Sequence, residues 1–269
     1  MIVAVLGGGK IGDAVALSIA LSDKVSRVMV TKRTKSTQRA PRSDKLQYST
    51  DNLGAAKAAD VVIVAVKAGD AKQVLGEVDK VVSGKLVISV MAAVSVQRLE
   101  DSLPGAKVVR SMPNIAAMIG EAVTAYSLGH NLGKKDIEQV KFVLGCFGTY
   151  IEVPESLMNA VTALSGSGPA YIAVLIEAMV SAGLKVGIPR EIAFKLATKT
   201  LTGTADLLSE KGMHPSELRD LVTTPAGTTI AGIYELEKGA VRTSIMNAVD
   251  AATQAAERVA RKFEDGQPR

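Results

Sequence analysis

The stretch MIVAVLGGGKIGDAVALSIALS, Met1–Ser22, decides the fold of this chain. It opens with a short apolar and largely β-branched run, Ile2–Leu6, which predicts a buried strand. Gly7, Gly9 and Gly12 follow at G-x-G-x-x-G spacing, and the residues after them are apolar at helical spacing. The glycine spacing alone is weak, but a strand before it and a helix after it predict a dinucleotide-binding turn. The alternative is a glycine-rich turn in another kind of α/β protein.

Each glycine has a physical reason in such a turn. The first allows the tight turn, the second lets the pyrophosphate approach the backbone, and the third lets helix and strand pack closely. The phosphates would lie at the helix N-terminus, where free N–H groups and the helix dipole favour anions. We therefore assign Gly7, Gly9, Lys10, Ile11 and Gly12 to a cofactor site.

The second predicted strand, RVMVTKR (Arg27–Arg33), indicates which dinucleotide is bound. NAD-specific folds usually carry an acidic residue here for the ribose 2′-hydroxyl. This chain has Thr31, Lys32, Arg33 and Thr34 instead, and cations with hydroxyls suit a 2′-phosphate. We expect NADP(H) to be preferred, with NAD(H) as the second cofactor. The alternative is a solvated loop that carries surface charge.

Further apolar runs, at residues 59–67 and 85–93, predict parallel strands that are buried on both faces. KVVRSMPNI and AVTAYSLG are interpreted as later strands of the same sheet. Ligands bind beyond the carboxyl ends of such strands. The additional cofactor-binding candidates are Asn52, Val66, Lys67, Met91, Ala92, Ala93 and Asn114. Lys67 could equally be a surface lysine at a strand end.

From Glu155 onward the pattern changes to helices, and residues 157–184 are apolar on most faces. A helix that is apolar almost all round must be buried, and one chain offers few elements to cover it. A second subunit is the economical explanation. The predicted fold is therefore an α/β Rossmann domain with a parallel, doubly wound sheet (residues 1–154), followed by an all-α dimerisation domain (residues 155–269). We expect a homodimer or an assembly of dimers.

Composition excludes several classes of protein. The net charge is +5 and aromatic residues are 3% of the chain. The basic cluster Thr31–Arg42 has no interleaved aromatic side chains for base stacking, so nucleic-acid binding is not expected. Pro169–Leu184 is interrupted by Glu177, and we expect it to be too short to span a bilayer.

The cysteine and histidine content predicts a cytoplasmic protein without a metal site. Cys146 is the only cysteine, which excludes an intrachain disulfide, and its apolar surroundings indicate a buried, inert thiol. Two histidines with one cysteine cannot form a structural zinc site. The N-terminus enters a strand without a basic region, so no signal peptide is expected.

The stretch DLVTTPAGTTIAG, Asp220–Gly232, is unusual between two predicted helices. Its hydroxyl-bearing residues, proline and glycines compete for or remove backbone hydrogen bonds. Considered without any resemblance, this stretch indicates either a capping turn or a loop that binds a ligand.

The whole chain resembles the pyrroline-5-carboxylate reductase family. The motifs are, in order, GGGKIG, AVK, RSMPN, SGSGPAY, GIPREIA, HPSELRDLVTTPAGTTIAG and LEKGAVR. The resemblance implies NAD(P)H-dependent reduction of Δ1-pyrroline-5-carboxylate to L-proline, with hydride from nicotinamide C4. It also implies that Ala226, Gly227, Thr228 and Thr229 bind the substrate and that the Thr229 hydroxyl is catalytic, facing the ring nitrogen. Ala226 and Ala68 stand where members of the family usually have glycine and proline.

Two other functions stay open at this point. One is another Rossmann-plus-helical reductase, acting on imines or β-hydroxyacids, which is expected to carry a lysine in the long interdomain helix. No lysine lies between Met158 and Leu184, which disfavours it. The other is a non-enzymatic module that senses NADP(H), which would not need a loop rich in hydroxyls.

Overall fold

The computed structural model describes residues 1–34 and 43–264 of the chain. The part of the predicted basic cluster from residue 35 onward and the end of the C-terminal tail lie outside the described residues. The chain divides into two compact units, one of Met1–Pro169 with Asp250–Arg269 and one of Ala170–Val249.

The first unit is built on one sheet, which has eight strands in the described part of the chain, in the order β3-β2-β1-β4-β5-β6-β7-β8. The strands are β1 (Ile2–Leu6), β2 (Arg27–Thr31), β3 (Leu46–Ser49), β4 (Val61–Val64), β5 (Leu86–Ser89), β6 (Lys107–Met112), β7 (Ala122–Leu128) and β8 (Gly148–Glu152). Strand order reverses beside β1, which is the switch point where ligands bind in doubly wound sheets.

The sheet differs from the predicted all-parallel arrangement at one pair of strands. β6 and β7 are antiparallel, with Val109 opposite Leu128 and Met112 opposite Ala125. Residues 113–121 connect them, and a parallel crossover needs about a dozen residues or more. The short connection therefore turns the chain back along the sheet. β7 and β8 are again parallel.

Helices cover both faces of the sheet, because successive strand residues point to opposite sides. Val3 and Val5 of β1 face one apolar core, whereas Ala4 and Leu6 face another. The helices of this unit are α1 (Lys10–Ala20), α2 (Asn52–Ala58), α3 (Ala71–Val78), α4 (Val96–Ser102), α5 (Lys134–Gly145) and α6 (Met158–Val161). α1 and α5 pack on the first face and α2, α3 and α4 on the second, which confirms the doubly wound Rossmann fold.

The second unit is helical. Its helices are α7 (Gly168–Lys185), α8 (Arg190–Lys211), α9 (Pro215–Leu221), α10 (Thr228–Lys238) and α11 (Val241–Glu264), of which α7 begins and α11 ends in the first unit. As predicted, α8 has Pro189 at its N-cap and Gly212, with φ +60°, at its C-cap.

Most apolar side chains of the second unit are exposed in the single chain. Within residues 170–249, all of which are described, only Val180, Ala193 and Ala197 are buried. Large side chains such as Val174 and Phe194 are 63% and 54% exposed. An apolar surface of this extent marks an interaction site.

The expectation that the apolar helical stretch is too short to span a bilayer is wrong. Glu155–Lys185 comprises 31 residues and is long and apolar enough to cross a membrane by length and composition alone. Glu177 does not divide this stretch, because a single charged residue is compatible with a long helix.

Candidate functional site

The glycine turn between β1 and α1 has the geometry that a dinucleotide requires. Gly7 has φ +107°, and a Cβ atom on it would lie 2.7 Å from Cγ1 of Val66. A Cβ atom on Gly12 would collide with the carbonyl oxygen of Gly7, so this glycine allows α1 to pack against the turn. Gly9 is the N-cap of α1, has no side-chain cap, and has no atom near its own Cβ position. The first amides of α1 are therefore open to an anion.

A cavity of about 480 Å³ adjoins this turn. It brings together seven of the predicted cofactor residues, namely Gly7, Gly9, Lys32, Arg33, Asn52, Val66 and Lys67. Thr31 lies in the same wall, and its hydroxyl donates to Oδ1 of Asn52 at 2.5 Å. The Asn52 amide in turn donates to Oε2 of Glu77 at 2.7 Å. Gly7 and Gly12, which have no room for side chains, an open helix N-terminus and nearby cations fit a dinucleotide phosphate.

Lys32 is held in place by its neighbours. Its Nζ lies 2.9 Å from Oδ2 of Asp13 and 4.7 Å from the centroid of the Tyr48 ring. Burial and the adjacent Asp13 carboxylate raise the pKa of Tyr48 to about 12. A Cβ atom on Gly8 would collide with the alkyl chain of Lys32, so this chain lies across the glycine turn. Lys32 therefore forms a fixed wall of the cavity.

Arg33 and Lys67 are the more accessible cations of the cavity. The Arg33 side chain is 80% exposed, and its Nη2 lies 2.6 Å from Oδ2 of Asp70. Lys67 is exposed, and its side chain has no hydrogen-bond or ion-pair partner among the described residues. A strand-end lysine that lines the cavity favours the interpretation of Lys67 as a ligand-binding residue over that of an ordinary surface lysine.

The other predicted cofactor residues do not line this cavity. They are Lys10, Ile11, Gly12, Thr34, Met91, Ala92, Ala93 and Asn114. Met91 is 2% exposed and packs in the core, so its side chain is not available to a ligand. The side chain of Asn114 accepts from the amide of Ala116 at 3.1 Å and caps the short helix Ile115–Ile119. Gly12 acts through packing, because its missing Cβ makes room for the turn.

Four cavity residues that the sequence pattern did not predict come from the face of one helix. Asp70, Gln73, Val74 and Glu77 line the cavity and lie at the start of α3 or within it. Their spacing of i, i+3, i+4 and i+7 places them on one helix face. This periodicity, starting three residues after Lys67, is the signal that could have found them.

The Thr-rich stretch forms a turn followed by the N-terminus of α10. The amide of Gly227 donates to the carbonyl of Thr224 at 3.1 Å, and Ala226 inside this turn has φ +55°. Pro at the second position and a positive φ at the third are typical of a type II turn. A Cβ atom on Gly227 would collide with the hydroxyl of Thr224, so the turn requires glycine there.

The turn leaves a specific set of donors available. Gly227 is the N-cap of α10, and its own amide is used within the turn. The amides of Thr228 and Thr229 are in the first turn of the helix, where no intrahelical acceptor exists. The hydroxyl of Thr229 has no partner among the described residues, whereas that of Thr223 donates to the carbonyl of Arg219 at 2.6 Å. Thr223 therefore belongs to the end of α9, as expected.

Cys146 is half-buried, and burial raises the pKa of its thiol. A raised pKa leaves little thiolate at neutral pH, which favours the inert role over a nucleophilic one.

Comparison with known proteins identifies the family. Residues 155–259 match the family described as pyrroline-5-carboxylate reductase dimerisation, and residues 2–93 match that described as NADP oxidoreductase, coenzyme F420-dependent. The chain is 43% identical over 219 residues to the pyrroline-5-carboxylate reductase of Methanosarcina acetivorans, which covers 81% of each chain. The chain belongs to the pyrroline-5-carboxylate reductase family.

Other members agree over nearly the whole length. The pyrroline-5-carboxylate reductase of Corynebacterium melassecola is 38% identical over 262 residues, covering 95% of this chain and 97% of the relative. The crystal structure of Plasmodium falciparum pyrroline carboxylate reductase with NADP bound has a TM-score of 0.88 at 29% identity, covering 96% and 97% of the two chains. The resemblance inferred from the motifs is thereby confirmed, together with the Rossmann-plus-helical fold of the family.

Proposed function

We propose that this protein is a cytoplasmic pyrroline-5-carboxylate reductase, which reduces Δ1-pyrroline-5-carboxylate to L-proline with NADPH preferred over NADH. The observation that carries the proposal is the turn Thr224–Gly227, which leaves the amides of Thr228 and Thr229 and one threonine hydroxyl open at the start of α10. The turn lies within the segment that matches the dimerisation family. NAD(P)H, when bound, supplies a hydride.

The reaction adds two hydrogens across the C=N bond of the substrate. The hydride forms a C–H bond at the imine carbon, the π electrons of the C=N bond move to nitrogen, and nitrogen carries a proton. The substrate carboxylate is bound by amides at the start of α10, where the helix dipole favours an anion. The Thr229 hydroxyl orients the ring nitrogen and stabilises its proton. The loop thus supplies position and polarity, and needs no covalent intermediate.

Cofactor choice follows from the end of β2. It carries no acidic residue for a ribose diol, and it places Lys32 and Arg33 in the cavity wall. A guanidinium is well suited to a phosphate because it donates from a planar fork. NADPH is therefore the expected physiological cofactor.

The two parts of the chain have different proposed roles. Residues 1–154 bind the cofactor, and residues 155–269 bind the substrate and form a homodimer or an assembly of dimers. The match to the dimerisation family begins at residue 155. The exposed apolar side chains of residues 170–249 support a second copy of this chain as the partner that buries them.

The test is a pair of threonine variants in one assay. Thr229→Val keeps the side-chain shape and removes the hydroxyl, so it should lower kcat about ten- to a hundredfold, as expected for one hydrogen bond to a charged group. Cofactor affinity should stay nearly constant. The matched control is Thr223→Val, whose hydroxyl is engaged with Arg219, and its effect should be small. Turnover is followed by the loss of NADPH absorbance with the cyclic imine as substrate.

The outcomes separate the candidate functions. Wild-type turnover in Thr229→Val with an inactive Thr223→Val would show that the site lies on the Thr223 side of the turn, which refutes the role of Thr229. A protein that binds NADPH and reduces no imine would be a sensing module. A protein that reduces acyclic imines or oxidises β-hydroxyacids in preference to the cyclic imine would be one of the other reductases.

A further inference from the structure

An acidic side chain from the segment after β4 pairs with a cation that follows β2. Oδ2 of Asp70 is 2.6 Å from Nη2 of Arg33, although the two residues are 37 positions apart. Asp70 ends a short 3-10 turn after β4 and is the N-cap of α3, yet its side chain makes no capping hydrogen bond. Arg33 is its only side-chain partner among the described residues. The carboxylate therefore lines the same cavity as the residues that follow β2, where folds specific for NAD carry an acid.

Arg33 is the cation of this region that can change partner. Lys32 is held between Asp13 and the Tyr48 ring, with its alkyl chain across Gly8. The Arg33 side chain is 80% exposed and is held by one carboxylate. An exposed ion pair is weak, so a ligand phosphate can displace Asp70 from Arg33.

We propose that Asp70 sets the choice between NADPH and NADH by competing with the 2′-phosphate for Arg33 and by accepting a hydrogen bond from the 2′-hydroxyl of NADH. This inference rests on the proposed function as an NAD(P)H-dependent enzyme and names the specificity-determining residue of that site. With NADPH, Arg33 leaves Asp70 and binds the phosphate. With NADH, the ion pair stays closed, and the carboxylate is the acceptor that β2 itself lacks.

The two arrangements have opposite charge requirements. A 2′-phosphate brings close to two negative charges, and the Asp70 carboxylate repels them at short range. A 2′-hydroxyl is neutral and donates one hydrogen bond, which a carboxylate accepts better than a neutral amide does. One residue therefore weakens the binding of NADPH and supports that of NADH.

The experiment measures binding by calorimetry, with no substrate present. Asp70→Asn keeps the size of the side chain and removes its charge. NADPH should bind about three- to tenfold more tightly, the effect expected from losing a weak competing ion pair and a like charge. NADH should bind about two- to fivefold more weakly, because a charged acceptor becomes neutral.

Two controls make the result specific. In an Arg33→Ala background, Asp70→Asn should tighten NADPH binding by no more than about twofold, because the competition for Arg33 is gone and only the repulsion between the carboxylate and the phosphate remains. Asp79→Asn removes one carboxylate outside the cavity, at the end of α3, and should change neither affinity.

Three results would overturn the inference: an unchanged ratio of NADPH to NADH affinity in Asp70→Asn, an equal gain in the Arg33→Ala background, or the same shift in Asp79→Asn. Because the readout is binding, it is independent of the proposed reaction. A protein that shows the predicted shift but does not reduce the cyclic imine would refute the proposed function and leave the role of Asp70 standing.

Discussion

Replacing Ala226 by glycine should stabilise the folded protein, and the backbone conformation of this residue gives the size of the effect. This residue has φ +55° at the third position of the turn Thr224–Gly227. An L-residue in the left-handed region is strained by about 1–2 kcal/mol. Glycine removes this strain, but it makes the unfolded chain more flexible, which opposes folding by about 0.4–1 kcal/mol. The net change for Ala226→Gly is a stabilisation of about 0–1.5 kcal/mol.

The assay is thermal unfolding at a fixed protein concentration, together with the KM for the cyclic imine. Ala226→Gly should raise the Tm by up to about 6 °C, since about 1 kcal/mol shifts the Tm of a protein of this size by about 2–4 °C. Ala226→Val should lower the Tm, because a β-branched residue at positive φ is a steric outlier. The matched control is Ala240→Gly, since Ala240 has φ +51° directly after the C-cap of α10. It should stabilise by a similar amount, with no change in KM.

Backbone strain at Ala226 is refuted if Ala226→Gly destabilises the protein by about 1 kcal/mol or more while Ala240→Gly stabilises it. That result would mean that the Ala226 methyl group makes a contact worth more than the backbone strain. A KM that rises strongly in Ala226→Gly with an unchanged Tm would instead show that the methyl group restricts the turn for substrate binding.

Two further predictions follow from packing and exposure. Gly12→Ala places a methyl group against the carbonyl of Gly7 and should weaken NADPH binding more than about tenfold. Gly76→Ala, whose new Cβ would meet no neighbouring side chain within 4 Å, should bind NADPH normally and gain about 0.5–1 kcal/mol of stability. Equal NADPH affinity in both variants, measured by titration, would contradict the close packing of the turn. Light scattering at low micromolar concentration should show no folded 28.0 kDa monomer, and a stable, active monomer would refute the dimer.

Much of the first unit was predictable because its signals are local. As their spacing predicts, Gly7 and Gly9 lie between β1 and α1, and Gly12 lies in the first turn of α1. The buried runs on either side of Ile63 and Ile88 form parallel strands, since a strand covered on both faces must be apolar throughout. Pro189 and Gly212 likewise mark the ends of α8, because each residue favours one end of a helix.

What could not be predicted depends on contacts between distant residues. The direction of β7 is set by the length of its connection to β6, and no residue in β7 itself records it. The pairing of Arg33 with Asp70 joins the end of β2 to the start of α3, and the order of strands in the sheet brings them together. Charge alone suggested that Lys32 and Arg33 are equivalent, whereas packing against Gly8 and Tyr48 makes Lys32 a fixed residue.

The exposed apolar side chains of residues 170–249 make the stability of the folded protein depend on its concentration. If a second copy covers them, unfolding and dissociation are one process, and the Tm rises with protein concentration. A subunit with an intact cofactor turn and a damaged helical unit would then be lost to proteolysis unless a sound partner rescued it. In a cell that makes both forms, pairing with an intact subunit would stabilise the damaged one. The loss of stability caused by a substitution at this surface would then be seen only when the protein concentration falls.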